Sequence, residues 1–247
     1  MRLEHRIKAA RGELKADLLI RNCRLVNVCS GEIHPADVAV SDGVFLGFGD
    51  YRAEQVIEAG GRSLCPGLID GHLHIESSLL SPVEFAKAAA AHGTAAVICD
   101  PHEICNVLGV KGLEYMLAVT EALPLAVYCQ VPSCVPATHL ETAGGRIDAQ
   151  AIAELFARYP HRLTGLAEMM NFPGVLFKDP GVLAKLRVAG NLIIDGHCPQ
   201  LGGRDLNASI RAGGHPIRAI QMVSINTARY FGLKKIGAVA PRLPCGL

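Results

Sequence analysis

From Ser63 onward the sequence alternates between a short apolar run and a stretch of helical periodicity, at intervals of roughly 30 residues, the length of one strand-plus-helix unit. Strands are predicted over residues 64–75, 94–100, 125–131, 163–168 and 192–197, each followed by a helical stretch. Helix starts are marked locally. Ser81-Pro82-Val83-Glu84 supplies an N-cap, a first-turn proline and an acid, with Gly93 as the stop. Residues 148–159 place Ile152, Leu155 and Phe156 at helical spacing, and Asp179-Pro180 opens a helix that Gly190 closes. Near-continuous apolar strands joined by helices make a parallel sheet. Candidate polar chemistry falls at the C-terminal ends of these strands: His72 and His74, Asp100 and His102, Glu168, and His197. A doubly wound sheet gathers its ligands at one switch point, whereas a (β/α)8 barrel spreads them around a ring. The expected fold is therefore α/β, a (β/α)8 barrel. Eight units need about 240 residues, and the repeat here runs only to about Gly213, enough for five, so the barrel is expected to be incomplete. Residues 16–62 follow a different pattern, with β runs at 17–21, 24–28, 37–40 and 44–48 and a turn at Ser41-Asp42-Gly43. These predict a small separate sheet.

In Asp70-Gly71-His72-Leu73-His74 two imidazoles lie at i and i+2, on one face of an extended chain, where both ring nitrogens can grip one divalent cation. Two cations close together need a bridging anion, which Glu168 can supply, with His197 on the second ion. Taken singly, Glu168 also reads as a salt-bridged acid at a strand end and His197 as a loop histidine. The net charge of +1 and the lack of a dense Lys/Arg run exclude an electrostatic footprint for nucleic acid or an anionic membrane, which leaves a small molecule as the expected partner. The charged start and the absence of about 18 uninterrupted apolar residues predict a cytoplasmic protein. The nine cysteines form no Cys-x-x-Cys pair and read as small apolar fillers in a reducing compartment.

At greater length the blocks carry a family resemblance. Pro66-Gly67-Leu68-Ile69-Asp70-Gly71-His72-Leu73-His74 resembles the amidohydrolase superfamily, and its continuation Ile75-Glu76-Ser77-Ser78 resembles the adenine deaminase family within it. Asp100-Pro101-His102-Glu103-Ile104, Pro132-Ser133-Cys134-Val135-Pro136, Gly165-Leu166-Ala167-Glu168-Met169-Met170-Asn171-Phe172-Pro173-Gly174 and Ile194-Asp195-Gly196-His197 are similar to that family's later strand motifs. The resemblance covers about residues 16–211. It implies two metal ions per site, manganese or iron with zinc as a further option, held by His72, His74, bridging Glu168 and His197. The implied reaction is hydrolytic deamination of adenine to hypoxanthine and ammonia by a metal-activated hydroxide. Glu168 and His102 take the catalytic roles, and Asp100, Glu103 and Ser133 contact substrate. The family also implies a homodimer.

After Ala212-Gly213 the family pattern continues with an Asp-His-Glu segment and later an Asp pair near the eighth strand, and neither is found here. His215-Pro216-Ile217-Arg218-Ala219-Ile220 instead resembles the final barrel helix. The expected organisation is a small β-domain over 1–63, a barrel over 64–232 lacking about three units after 213, and a shortened return segment over 233–247. The missing acid leaves open a catalytically inactive metal-binding remnant. Another amidohydrolase acting on a cyclic amide or amidine is a further alternative, disfavoured by the Ile-Glu-Ser-Ser, Pro-His-Glu and Pro-Ser-Cys-Val-Pro blocks. A cytidine-deaminase type of zinc site is excluded because His74-Ile75-Glu76 lacks its Pro-Cys-x-x-Cys half. No Gly-rich phosphate loop is present: Gly202-Gly203 lacks the following Lys-Ser/Thr, and Ala143-Gly144-Gly145-Arg146 reads as a turn.

Overall fold

A computed structural model describes residues 3–198, 200, 202–205 and 208. The expected final barrel helix and the return segment at 233–247 lie outside the described residues. Within the described chain, residues up to Ile69 form one compact unit and those from Asp70 onward another.

In the first unit, helix α1 (Leu3–Ala10) precedes strands β1 (Ala16–Asn27), β2 (Glu32–Ser41), β3 (Val44–Phe48), β4 (Ala53–Glu58) and β5 (Ser63–Leu64). The sheet order is β3-β2-β1-β4, with β5 also on β1; the β1–β2 and β2–β3 pairs are antiparallel, while β4 and β5 run parallel to β1. The two runs expected at 17–21 and 24–28 are one strand. Its register with β2 shifts between Ile20 and Cys23, where Asn22 adopts a φ of 55°. That is the signature of a β-bulge, in which one strand accommodates extra residue length without ending. Strand β4 went unread because its Ala-Glu-Gln-Val-Ile-Glu sequence lies largely exposed and lacks a clean apolar alternation. Ile20, Cys23, Leu25, Val38, Val40 and Phe45 fill the unit's core.

The second sheet has the order β10-β9-β8-β7-β6, each strand beside its sequence neighbour. It consists of β6 (Leu68–Leu73), β7 (Thr94–Cys99), β8 (Ala126–Val131), β9 (Leu163–Leu166) and β10 (Ile193–Ile194). The pairings from β7 through β10 are all parallel. This is the βα succession of a (β/α)8 barrel carried through five strands among the described residues. The single strand expected over 64–75 is split: Leu64 pairs with β1, and Pro66, which has no N–H to give a ladder, separates it from β6. The last two strands are also shorter than their apolar runs. Past their ends the chain is held by individual bonds, Ala167 N–H to the Val131 carbonyl (2.8 Å), Asp195 N–H to Leu166 (3.0 Å) and Met169 N–H to Asp195 (2.8 Å).

Helix α2 (Pro82–Ala91) is capped by Ser81, α5 (Ala149–Arg158) by Asp148 and α7 (Pro180–Ala189) by Asp179, each side-chain oxygen accepting a first-turn N–H. Between them come α3 (His102–Leu108), α4 (Val110–Val119) and α6 (Phe172–Leu176). The helices bury one face against the sheet, with Leu113, Met116, Ile152, Leu155 and Leu186 packed on Val97, Val127 and Val131. Each such side chain stabilises the fold by about 1.5–3 kcal/mol on full burial. Cys99, Cys105, Cys129 and Cys134 are buried, as the filler reading expects, and none of the described cysteines is in a disulfide.

Candidate metal centre

Strand β6 presents His72 and His74 two residues apart at its C-terminal end, and their Nε2 atoms point at one another across 3.2 Å. Two nitrogen ligands of one tetrahedral ion, each about 2.1 Å from it, stand about 3.4 Å apart. Glu168, just beyond β9, places Oε1 3.2 Å from His72 Nε2, and a ligand atom from each of the three residues lies within 4.8 Å of the others. The donor set is two imidazoles and a carboxylate, which suits zinc, iron or manganese. Its spacing fits a divalent cation.

The far nitrogens of both histidines are held. His74 Nδ1 meets the Asp100 carbonyl at 2.8 Å, and His72 Nδ1 meets Asp195 Oδ2 at 3.2 Å. Such contacts fix the ring orientation and tautomer of a ligating imidazole. Asp195 is in turn fixed by its own loop, because Oδ1 accepts the Gly196 N–H at 2.8 Å. Gly196 has a φ of 156°, and a Cβ there would stand 2.8 Å from the Met169 nitrogen. Only glycine lets the loop carrying Asp195 and His197 lie this close to the segment carrying Glu168. Asp195 was missed in the sequence reading. An aspartate before glycine reads as a turn former, and nothing local reveals its bond to a histidine 123 positions away.

The other candidates surround Glu168. Its Oε2 stands 3.9 Å from His74 Nε2, 4.0 Å from His102 Nδ1 and 3.9 Å from His197 Nε2. Asp100 is completely buried; its Oδ2 takes His102 Nδ1 at 3.0 Å, and its Oδ1 has no partner. Glu103 receives Ser77 Oγ at 2.9 Å on one oxygen, while the other lies 3.6 Å from His74 Nδ1. Ser133 is buried and its hydroxyl donates to the Glu168 carbonyl at 2.5 Å, so here it braces the segment that carries Glu168. Lys185 Nζ donates to the Ser133 carbonyl at 2.7 Å. A cavity of about 540 Å³ opens beside His102, lined among others by Asn106, Cys134, Glu141, Thr142 and Met170.

With protons as the only counter-charge, hydrogen bonds to Asp195 and then Glu168 push the His72 imidazole up to about 10. Bonds to Asp100 and then Cys134 push His102 up to about 11. Glu168 is held below the usual carboxylate range, chiefly by His72, whereas burial pushes Asp100 and Glu76 upward. Positive charge is thus strongly favoured at the ends of β6 and β7, the electrostatic condition for holding a cation.

Residues 63–216 match the amidohydrolase family. The chain belongs to the amidohydrolase family. This family member is 46% identical over 314 aligned positions to an adenine deaminase from Oleidesulfovibrio alaskensis, covering 95% of this chain and 55% of the relative. It is 54% identical over 214 positions to an adenine deaminase from Dehalococcoides mccartyi, covering 86% of this chain and 37% of the relative. The chain thus spans about half, or less, of these relatives' length. Because 314 exceeds its 247 residues, the first alignment includes gaps on its side, in line with the expected internal deletion. Among solved structures, an N-acyl-D-glutamate deacylase from Bordetella bronchiseptica superposes with a TM-score of 0.58 at 17% identity, over 81% of this chain and 48% of that one. A mutant atrazine chlorohydrolase from Arthrobacter aurescens TC1 gives 0.59 at 13% identity, over 79% and 58%. These two likenesses support the fold, an incomplete barrel of the amidohydrolase type. No helix among the described residues is long and apolar enough to cross a membrane.

Proposed function

We propose that this amidohydrolase is of the adenine deaminase kind, converting adenine and water to hypoxanthine and ammonia. The observation that carries the reading is the His72, His74 and Glu168 group, assembled from the ends of β6 and β9 with ligand atoms inside 4.8 Å. The names of the relatives at 46% and 54% identity support the substrate. These three residues would hold a divalent cation, with His197 facing the same carboxylate. Such an ion, when bound, makes water acidic enough to react at neutral pH.

The protein's own groups do the rest. Asp195 and the Asp100 carbonyl fix the His72 and His74 rings, so their Nε2 lone pairs point inward with little freedom to lose. Ser133 and Lys185 brace the backbone behind Glu168. Glu103, with one oxygen anchored by Ser77 and the other making no hydrogen bond, though 3.6 Å from His74 Nδ1, can accept a hydrogen bond from the amino group to be expelled. Deamination breaks the bond between the ring carbon and the amino nitrogen and moves both protons of water, one to the leaving amino group and one to the adjacent ring nitrogen, and positioned proton transfer contributes about 10²–10⁴-fold. In this reading Glu168, which borders His72 Nε2 at 3.2 Å, would take the proton bound for the amino nitrogen. A second reading, metal binding without turnover, is favoured by the gapped alignment with the longer relative.

Ammonia release from adenine by the manganese-loaded 247-residue chain, with metal content measured on the same sample, tests the two. Turnover that disappears in Glu168→Gln supports deamination; bound metal without turnover supports the second reading, and a chain that takes up no metal refutes both.

A further inference from the structure

We infer that Glu76 is a positioning residue: it caps α3 from the loop after β6, and so fixes where His102 and Glu103 stand beside the metal centre. Its effect on turnover rests on the deaminase reading above, whereas its effect on α3 does not.

Helix α3 opens without a cap of its own. Its N-cap position is Pro101, whose ring offers no acceptor, whereas α2, α5 and α7 are each capped by the side chain at that position. The acceptor comes instead from 28 positions upstream. Glu76 begins the short 3₁₀ turn Glu76–Ser78 beyond β6, and its Oε1 takes the Ile104 N–H at 3.3 Å. Ile104 is the third residue of α3, where a capping side chain normally bonds.

The same turn grips α3 a second time. Ser77 Oγ donates to Glu103 Oε1 at 2.9 Å, so neighbouring residues of one turn hold both the backbone and a side chain of the helix. The turn is itself anchored, because Ser78 Oγ donates to the Ile75 carbonyl at 2.6 Å and Ile75 is completely buried. On the far side Asn106 Nδ2 donates to the His102 carbonyl at 2.9 Å and to the Cys134 carbonyl at 3.2 Å. Helix α3 is thus clamped between the chain after β6 and the chain after β8, and His102 and Glu103 are its first two residues. The Ile75-Glu76-Ser77-Ser78 block works mechanically here.

The cap needs an acceptor and not a charge. Burial pushes the Glu76 carboxyl upward, Glu103 and Asp100 add like charge, and its Oε2 is buried without a partner. The Ile104 N–H offsets part of that cost. Glutamine keeps the acceptor and removes the like charge, alanine removes both, and aspartate keeps the charge on an arm too short to reach.

Hydrogen exchange read by mass spectrometry tests the assignment on the 247-residue chain, with adenine kinetics and metal content measured on the same manganese-loaded samples. In Glu76→Ala the peptide spanning α3 should exchange about five-fold faster, the size of a lost cap, while peptides from β7 and β8 keep their rates. Metal content should hold and kcat/KM should fall about ten-fold or more, since displacing a catalytic group by about 1 Å can cost 10²-fold. Glu76→Gln should recover both readouts. Ser77→Ala, which frees only the Glu103 side chain, should lower kcat/KM with α3 exchange unchanged. Unchanged α3 exchange in Glu76→Ala overturns the assignment, as does faster exchange with kcat/KM unaltered. So does a glutamine variant as impaired as the alanine one, because charge and not an acceptor would then be at work. Should Glu76→Ala exchange faster throughout, Glu76→Asp decides: acceleration confined to α3 supports the cap, and wild-type exchange overturns it. The exchange readout needs no turnover, so the expected pattern in a chain that releases no ammonia upholds the cap and overturns deamination alone.

Discussion

Replacing Asp195 tests whether the centre depends on ring orientation. Asp195 Oδ2 lies 3.2 Å from His72 Nδ1, and its carboxylate is fixed from the other side by the Gly196 N–H. Loss of such a partner behind a ligating histidine typically weakens metal binding 10- to 100-fold. The contact is longer than the 2.7–2.9 Å of strong charge-assisted bonds, and the His72 side chain retains 33% exposure. The lower end of the range therefore applies to Asp195→Asn, about ten-fold, or about 1.4 kcal/mol. Asp195→Ala leaves His72 Nδ1 with no acceptor and should weaken binding further. Competition with a chromogenic chelator at fixed pH measures both, and melting curves of the metal-free variants separate binding from folding. Affinities within about two-fold of wild type for both variants would refute the idea that Asp195 orients His72.

Two further outcomes follow from the packing behind the centre. Burial lowers the pKa of Lys185 below its ordinary 10.5, so in the window between its folded value and 10.5 the unfolded chain binds more protons and stability must rise with pH. The unfolding free energy of wild type minus that of Lys185→Met should therefore become more positive as pH approaches 10.5; a flat difference would show that the ammonium is not desolvated. Gly196→Ala forces a Cβ to 2.8 Å from the Met169 nitrogen at a φ of 156°. It should destabilise by about 1–3 kcal/mol, lowering the melting temperature by about 2–4 °C for each kcal/mol, and weaken metal binding in the same variant. An unchanged melting curve would show that the loop has room to shift.

What the sequence makes legible is whatever chemistry acts locally. Ser81-Pro82, Asp148 and Asp179-Pro180 announce their helices because a cap bonds to an N–H only three residues on. The βα rhythm discloses the parallel sheet, and His72, His74, Glu168 and His197 can be named from their positions at strand ends. Contacts of high sequence separation stay hidden. Asp195 sits inside the Ile194-Asp195-Gly196-His197 motif, yet its partner comes from β6. Asp100 gives no sign that it is wholly buried, and Ser133 none that its hydroxyl turns toward the Glu168 backbone. The exposed face of β4 and the bulge in β1 escape for a different reason, since both depend on neighbouring strands for their definition.

Five strands laid flat at about 4.8 Å spacing would put the first and last about 19 Å apart, yet His72 from β6 and Asp195 from the end of β10 meet at 3.2 Å. The hydrogen bond therefore spans the whole sheet and ties its opposite margins together. A nascent chain cannot complete the centre strand by strand. His72 and His74 emerge early, but the acceptor that orients His72 arrives 123 residues later, and closing so long a loop must come before the pair is formed. The ligands His72, His74 and Glu168 are in place once β9 has docked, and docking of the fifth strand adds the roughly ten-fold in affinity that Asp195 supplies by orienting His72.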